Sequence, residues 1–160
     1  MREKQEISDT NGSLNPMAIA LEEAQRAADR GEVPVGAVIV SRSDGKIVSR
    51  AGNRVEELRD ATAHAEMLAI QNASKFLNQL RLDNCDLYVT LEPCTMCASA
   101  ISHSRVGRVF FGAYDPKGGG VEHGARFYEK ETCHHRPDVI GGIREMECAE
   151  LLKMFFARLR

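Results

Sequence analysis

The chain has 160 residues, of which 43% are hydrophobic and 28% charged, with five cysteines and a formal net charge of −2. That is the size and composition of one compact globular domain, and it excludes collagen-like, membrane-spanning and closed disulfide-scaffold architectures. The opening segment MREKQEISDTNGSLN has no apolar run, so reduced thiols in a cytoplasmic protein are expected, and the net charge is not that of a strongly basic nucleic-acid binder.

Residues 1–14 are polar and aperiodic and are expected to form a mobile arm, leaving 15–160 as the domain. Asn15 followed by Pro16 reads as a helix start, with Met17, Ala20, Leu21, Ala24 and Ala28 in helical spacing and Gly31 as the stop. Val35–Val40 and Ile47–Ala51 are β-branched runs joined by Ser43-Asp44-Gly45, the pattern of a hairpin. A helix is predicted over 61–78, a strand over Leu87–Leu91 buried on both faces, and a helix from Pro93 to about Ser102. A fourth strand is predicted over Val109–Gly112, followed by the glycine-rich loop Asp115–Gly120 and a short fifth strand at Val139-Ile140. The last helix, from about Ile143 to Leu159, carries Met146, Leu151, Leu152, Phe155 and Phe156 along its apolar stripe, with Phe155 expected in the core. A hairpin followed by strand–helix–strand crossovers implies an α/β fold with a mixed sheet covered by helices on its faces.

Two strings carry chemistry: His64-Ala65-Glu66 at one helix start and Pro93-Cys94-Thr95-Met96-Cys97 at another. Cysteines three apart at a helix N-terminus share a face and are pushed toward thiolate by the helix dipole. With one histidine they make three zinc ligands and leave a fourth position for water, the arrangement of a catalytic site. Glu66 points about 200° away from His64 around the helix, so it suits proton transfer at the bound water better than ligation. A structural site would need a fourth ligand, for which Cys85, Cys133, Cys148, His103, His123, His134 and His135 are candidates. A redox CxxC is the other reading, with Thr95-Met96 between its cysteines counting against it.

The whole string, His64-x-Glu66, 26 intervening residues, then Pro93-Cys94-x-x-Cys97, resembles the zinc-dependent nucleobase deaminase superfamily. Glu32 to Val38, Gly52-Asn53-Arg54, Leu87 to Cys97, His103-Ser104-Arg105, Phe111-Gly112-Ala113, the DPKGGG loop and the ending Phe155 to Arg160 are similar to the bacterial tRNA-specific adenosine deaminases. The likeness runs over residues 15–160, while the arm 1–14 has no counterpart in it. It implies the three-layer α-β-α cytidine deaminase-like fold, with a central mixed sheet of about five strands.

It also implies that His64, Cys94 and Cys97 hold one zinc ion per subunit and that Glu66 is the catalytic proton shuttle. Asn53 would hydrogen-bond the target nucleoside, Val35 would form pocket wall, and the backbone at Ala65, Leu91 and Glu92 would face the base. Glu92 could equally orient a neighbouring group. Asp115 and Lys117 would contact RNA, Phe156 would stack on a base or close the pocket, and Arg158 and Arg160 would meet phosphate. The reaction implied is hydrolytic conversion of adenosine to inosine at the wobble position of a tRNA, an arginine tRNA among them, by a homodimer.

Two other functions share these residues: deamination of a free base or nucleoside (guanine, cytosine or cytidine), and zinc-stabilised RNA binding without catalysis. The charge distribution favours RNA. Residues 1–104 carry 11 basic and 15 acidic side chains, whereas residues 105–160, with the loop and terminal helix, carry 10 and 8. A modest basic half suits a loop recognised in a pocket with phosphate contacts in support.

Overall fold

The computed structural model describes residues 15–160, so the expected arm 1–14 lies outside the described residues. The first helix, α1 (Pro16–Asp29), starts where the local chemistry places it: Asn15 Oδ1 accepts from the Ala18 amide at 3.2 Å and Pro16 occupies the first turn. Strands β1 (Gly36–Ser41) and β2 (Ile47–Gly52) form the antiparallel hairpin. A short helix, α2 (Val55–Leu58), precedes α3 (Ala65–Leu77), β3 (Cys85–Leu91), α4 (Thr95–His103) and β4 (Arg108–Ala113). A single 3-10 turn at Phe127–Glu129, β5 (Asp138–Ile140) and α5 (Glu145–Arg158) complete the chain.

The sheet order is β2-β1-β3-β4-β5, with β1 antiparallel to both neighbours and β3, β4 and β5 parallel. One face of the sheet, with Ala37, Ile39, Leu87, Val89, Val109 and Phe111, packs on Ala65, Ala69 and Ala73 of α3 and Ala98 and Ile101 of α4. The opposite face, with Val38 and Val40, packs on Met17, Ile19 and Ala20 of α1 and Cys148 of α5. The alternation of neighbouring β1 residues between the two cores is the period of two expected of a strand buried on both sides. The three-layer α-β-α expectation therefore holds, with α3 and α4 on one side and α1 and α5 on the other. Among the described residues no helix is long and apolar enough to cross a membrane.

Three boundaries differ from expectation for local reasons. Helix α3 begins at Ala65 rather than at 61, because Asp60 Oδ1 takes the Thr62 amide and hydroxyl at 2.8 and 2.7 Å and holds that segment in a turn. Helix α4 begins at Thr95, with Cys94 still extended at φ −69°, ψ 171°. Helix α5 begins two residues late, after Arg144 in the left-handed region (φ +52°). Its predicted stripe is also corrected. Met146 is 86% exposed, and the buried member of the helix is Cys148.

The register brings Val35 before β1, Asn53 after β2, Leu91 at the end of β3 and Ala113 at the end of β4 to the same end of the sheet: Gly36 pairs with Gly52, Ala37 with Val89 and Leu91 with Ala113. Helix α1 lies directly on the hairpin backbone. A Cβ on Gly36 would collide with the Ala20 carbonyl oxygen and stand 2.6 Å from the Ala24 amide nitrogen, both backbone atoms that cannot swing aside. Gly36→Ala is accordingly expected to lower the unfolding free energy by about 1–3 kcal/mol, read by urea denaturation; an unchanged midpoint would contradict the packing.

Candidate active site

At that end of the sheet the N-termini of α3 and α4 converge. His64 is the N-cap residue of α3 and Cys94 that of α4, both extended, so both side chains leave their helices at the mouth of the first turn. His64 Nδ1 lies 3.7 Å from Cys94 Sγ and 3.5 Å from Cys97 Sγ. Bonds of about 2.1 Å to nitrogen and 2.3 Å to sulfur at tetrahedral angles would separate these donors by roughly 3.6 Å, so the donor set fits zinc in both kind and spacing. Among the described residues this is the one group of three or more His, Cys, Asp or Glu side chains close enough to share an ion. None of the other cysteines and histidines considered as a fourth ligand joins it.

The thiols are unequal. The hydrogen bond from Cys97 holds the Cys94 thiol down at about 4, while the same bond and burial push Cys97 far up. The bond to Cys94 raises the His64 imidazole. Glu66 is 4% exposed, and burial pushes its carboxyl above the usual range, with the neighbouring Cys94 adding to the effect. A buried carboxyl with raised proton affinity beside three metal donors is suited to picking up and returning a proton.

A cavity of about 640 Å³ opens over these groups. Of the residues expected at the site, Val35, Asn53, His64, Glu66, Leu91, Glu92, Cys94, Asp115 and Phe156 line it. Cys97 lies behind, fully buried. Lys117, Arg158 and Arg160 do not line it; all three are exposed, and Arg160 instead borders a separate hollow with Leu152, Lys153, Phe156 and Ala157. The Ala65 amide donates to Asn53 Oδ1 at 2.8 Å. Asn53 thus performs a local supporting role at the start of α3, while its amide nitrogen has no hydrogen bond to any described residue. Phe155, expected in the core, lines the cavity beside Phe156.

The Glu92 side chain is wholly buried and is spent on the glycine-rich loop. Oε1 accepts from the Asp115 amide at 3.1 Å and from His123 Nδ1 at 2.8 Å; Oε2 accepts from the amides of Val121, Glu122 and His123 at 3.3, 3.0 and 3.1 Å. Burial raises its carboxyl, but these donors outweigh burial and hold it below its usual value. Glu32 plays the matching part on the other rim of the cavity. It is 2% exposed and accepts from the amides of Glu56 and Glu57 at 2.7 and 3.1 Å, fixing α2. Glu32 opens one of the stretches that carry the family resemblance, but its letter does not show which amides it gathers. Val55 and Glu56 line the cavity without a signal in the sequence that marked them, and Gly31, Val33, Gly118 and Leu159 join them.

The model of the cytidine and deoxycytidylate deaminase zinc-binding region matches residues 13–113. The chain belongs to this deaminase family. It is 56% identical over 144 residues to the tRNA-specific adenosine deaminase of Agrobacterium fabrum, covering 90% of this chain and 93% of that one. It is 50% identical over 144 residues to the protein of the same name from Aquifex aeolicus, with 90% and 93% covered. A solved structure from a study of A-to-I editing by tRNA:A34 deaminases at the wobble position of transfer RNA superposes with a TM-score of 0.83 at 56% identity, covering 86% of this chain and 98% of that one. With a fitting donor set in a zinc-binding deaminase domain, zinc is the cofactor.

Chelation followed by alkylation should mark Cys94 ahead of the buried Cys85, Cys97, Cys133 and Cys148, since Cys94 is half-exposed with its thiol held at about 4. Saturating zinc should restore protection. Peptide mass spectrometry reads the outcome, and equal labelling of Cys94 with and without zinc would contradict its place in the donor set.

Proposed function

We propose that this deaminase converts adenosine to inosine at the wobble position of tRNA, consuming water and releasing ammonia. The observation that carries the reading is the His64–Cys94–Cys97 donor triangle with buried Glu66 at the floor of a cavity open to solvent; its support is the high identity to tRNA-specific adenosine deaminases over nearly their whole length.

In this reading His64, Cys94 and Cys97 are the zinc ligands. Bound there, zinc supplies a Lewis acid that lets water act as a nucleophile at neutral pH. Glu66 takes a proton from the attacking water and returns it to the leaving exocyclic nitrogen; burial raises its affinity for that proton. Asn53 offers its unpaired amide nitrogen to an acceptor on the nucleoside, and Val35 and Leu91 enclose the base. Phe156, 45% exposed at the cavity, stacks on a neighbouring base. Lys117, Arg158 and Arg160, exposed and outside the cavity, serve the phosphates, which position the RNA without selecting its sequence. An anticodon-loop nucleotide is already partly unstacked, which lowers the cost of drawing it into the pocket.

The reading extends to residues 15–160 as a single deaminase domain, to an arginine tRNA as substrate, to a homodimer and to the cytoplasm. Its support here is the likeness to bacterial tRNA deaminases and, for association, exposed Phe76 and Leu80, 74% and 89% accessible.

Total tRNA incubated with the zinc-loaded enzyme and then sequenced should show adenosine read as guanosine at the wobble position. Activity on free guanine or cytidine alone would overturn the reading. Glu66→Gln should retain zinc and lose about 10²–10⁴-fold in kcat, whereas Cys94→Ala should lose zinc by metal analysis; full turnover in Glu66→Gln would remove Glu66 from proton transfer.

A further inference from the structure

The glycine-rich loop after β4, whose Asp115 and Lys117 are expected to contact RNA, is clamped over much of its length. Gly119, Gly120 and Val121 are buried, and only Pro116, Lys117 and Gly118 form an exposed tip. A Cβ on Gly119 would run into the Glu92 carboxylate, and one on Gly120 would stand 2.5 Å from the Thr95 amide nitrogen at the start of α4. The Gly120 amide donates to the Pro93 carbonyl at 2.8 Å. The glycines are there for close approach, so that the loop can lie on Glu92 and on the helix start that carries Cys94.

The Glu92 carboxylate is saturated. A carboxylate has about four lone-pair sites, and five donors from this loop crowd its two oxygens with no solvent exposure. No acceptor is left over for a substrate. What Glu92 controls is the position of Asp115, whose amide it holds and whose Oδ1 in turn takes the amides of Lys117 and Gly118 at 3.2 and 2.9 Å. The bonds therefore run from a fully buried carboxylate, through Asp115, to the exposed tip, and Asp115 and Gly118 line the cavity. The three donors His64, Cys94 and Cys97 hang instead from the starts of α3 and α4, and none of them bonds to Glu92.

We propose that Glu92 is a positioning residue for the polynucleotide substrate: by gathering the amides of Asp115, Val121, Glu122 and His123 it fixes the loop wall of the cavity, and it governs capture of an RNA loop while leaving the deamination step to other groups. This rests on the tRNA reading above. It separates two parts of the site that lie side by side in sequence, since Glu92 is two residues from Cys94 yet serves the RNA-facing wall.

The test is Glu92→Gln in the full zinc-loaded chain. Glutamine keeps the shape but turns one acceptor into an N–H₂ group facing amide donors. Hydrogen exchange, measured without RNA, should accelerate about tenfold or more at the amides of 115–123. With an anticodon stem-loop, KM should rise about tenfold or more and kcat should stay within about threefold, at unchanged zinc content. His123→Ala, which removes one of the five donors at a half-exposed position, should move both readouts in the same direction by less, and it decides the matter if the Gln variant does not fold. Unchanged loop exchange would overturn the anchoring role whatever the substrate is. A fall in kcat at constant KM would place Glu92 with the reacting groups, and loss of zinc would place it with the metal; either result overturns the proposal. A wild-type chain that exchanges as expected but makes no inosine in the stem-loop would instead overturn the tRNA reading, and with it the KM consequence.

Discussion

One imidazole nitrogen held 3.7 and 3.5 Å from two sulfurs imposes a demanding constraint on the backbone, and much of the molecule can be understood as meeting it. The donors come from two helix starts 30 residues apart in sequence, so those starts have to meet within a side-chain length. That requires β3 to sit centrally beside both β1 and β4, and α3 and α4 to lie on one face of the sheet. The small residues follow from the same demand: Ala65, Ala69, Ala73 and Ala98 let the two helices seat closely on the strands. Both ligand-bearing caps stay extended rather than helical, which aims His64 and Cys94 out of their helices toward one point.

Around that fixed point the rim is held by charge and not by bulk. Two carboxylates, Glu32 and Glu92, are removed from water and compensated by backbone amides, one on each side of the cavity. Amides are strong donors at fixed positions in the chain, so a carboxylate that gathers several of them specifies loop geometry more sharply than an apolar contact could. The arrangement leaves the cavity floor to Glu66, whose burial outweighs the donors near it, so that its proton affinity rises, whereas the proton affinity of Glu92 falls. Similar depth produces opposite shifts because the donors differ.

The fold was legible where periodicity and caps speak locally. Asn15-Pro16, the Ser43-Asp44-Gly45 turn and the β-branched runs each mark elements found within a residue or two of expectation. The metal donors were legible because they sit in two short strings with fixed spacing. The rim was not, because its pairings join residues 23 to 31 positions apart through backbone atoms, and backbone amides leave no trace in residue identity: nothing in the letters Val121, Glu122 or His123 says that their N–H groups converge on Glu92. The bond between Ala65 and Asn53 was hidden for a related reason: it is formed by a supersecondary contact the sequence does not spell out.

The sheet's borders carry a consequence of their own. One border, β5, is only three residues long, with Asp138 exposed at its start; the other, β2, carries Arg50, whose guanidinium is tied to Glu22 and Glu23 of α1. A short, charged border offers a poor template for a foreign strand. Growth of the sheet from one molecule into the next is thereby discouraged, and copies of this chain that meet are left to do so through their helices.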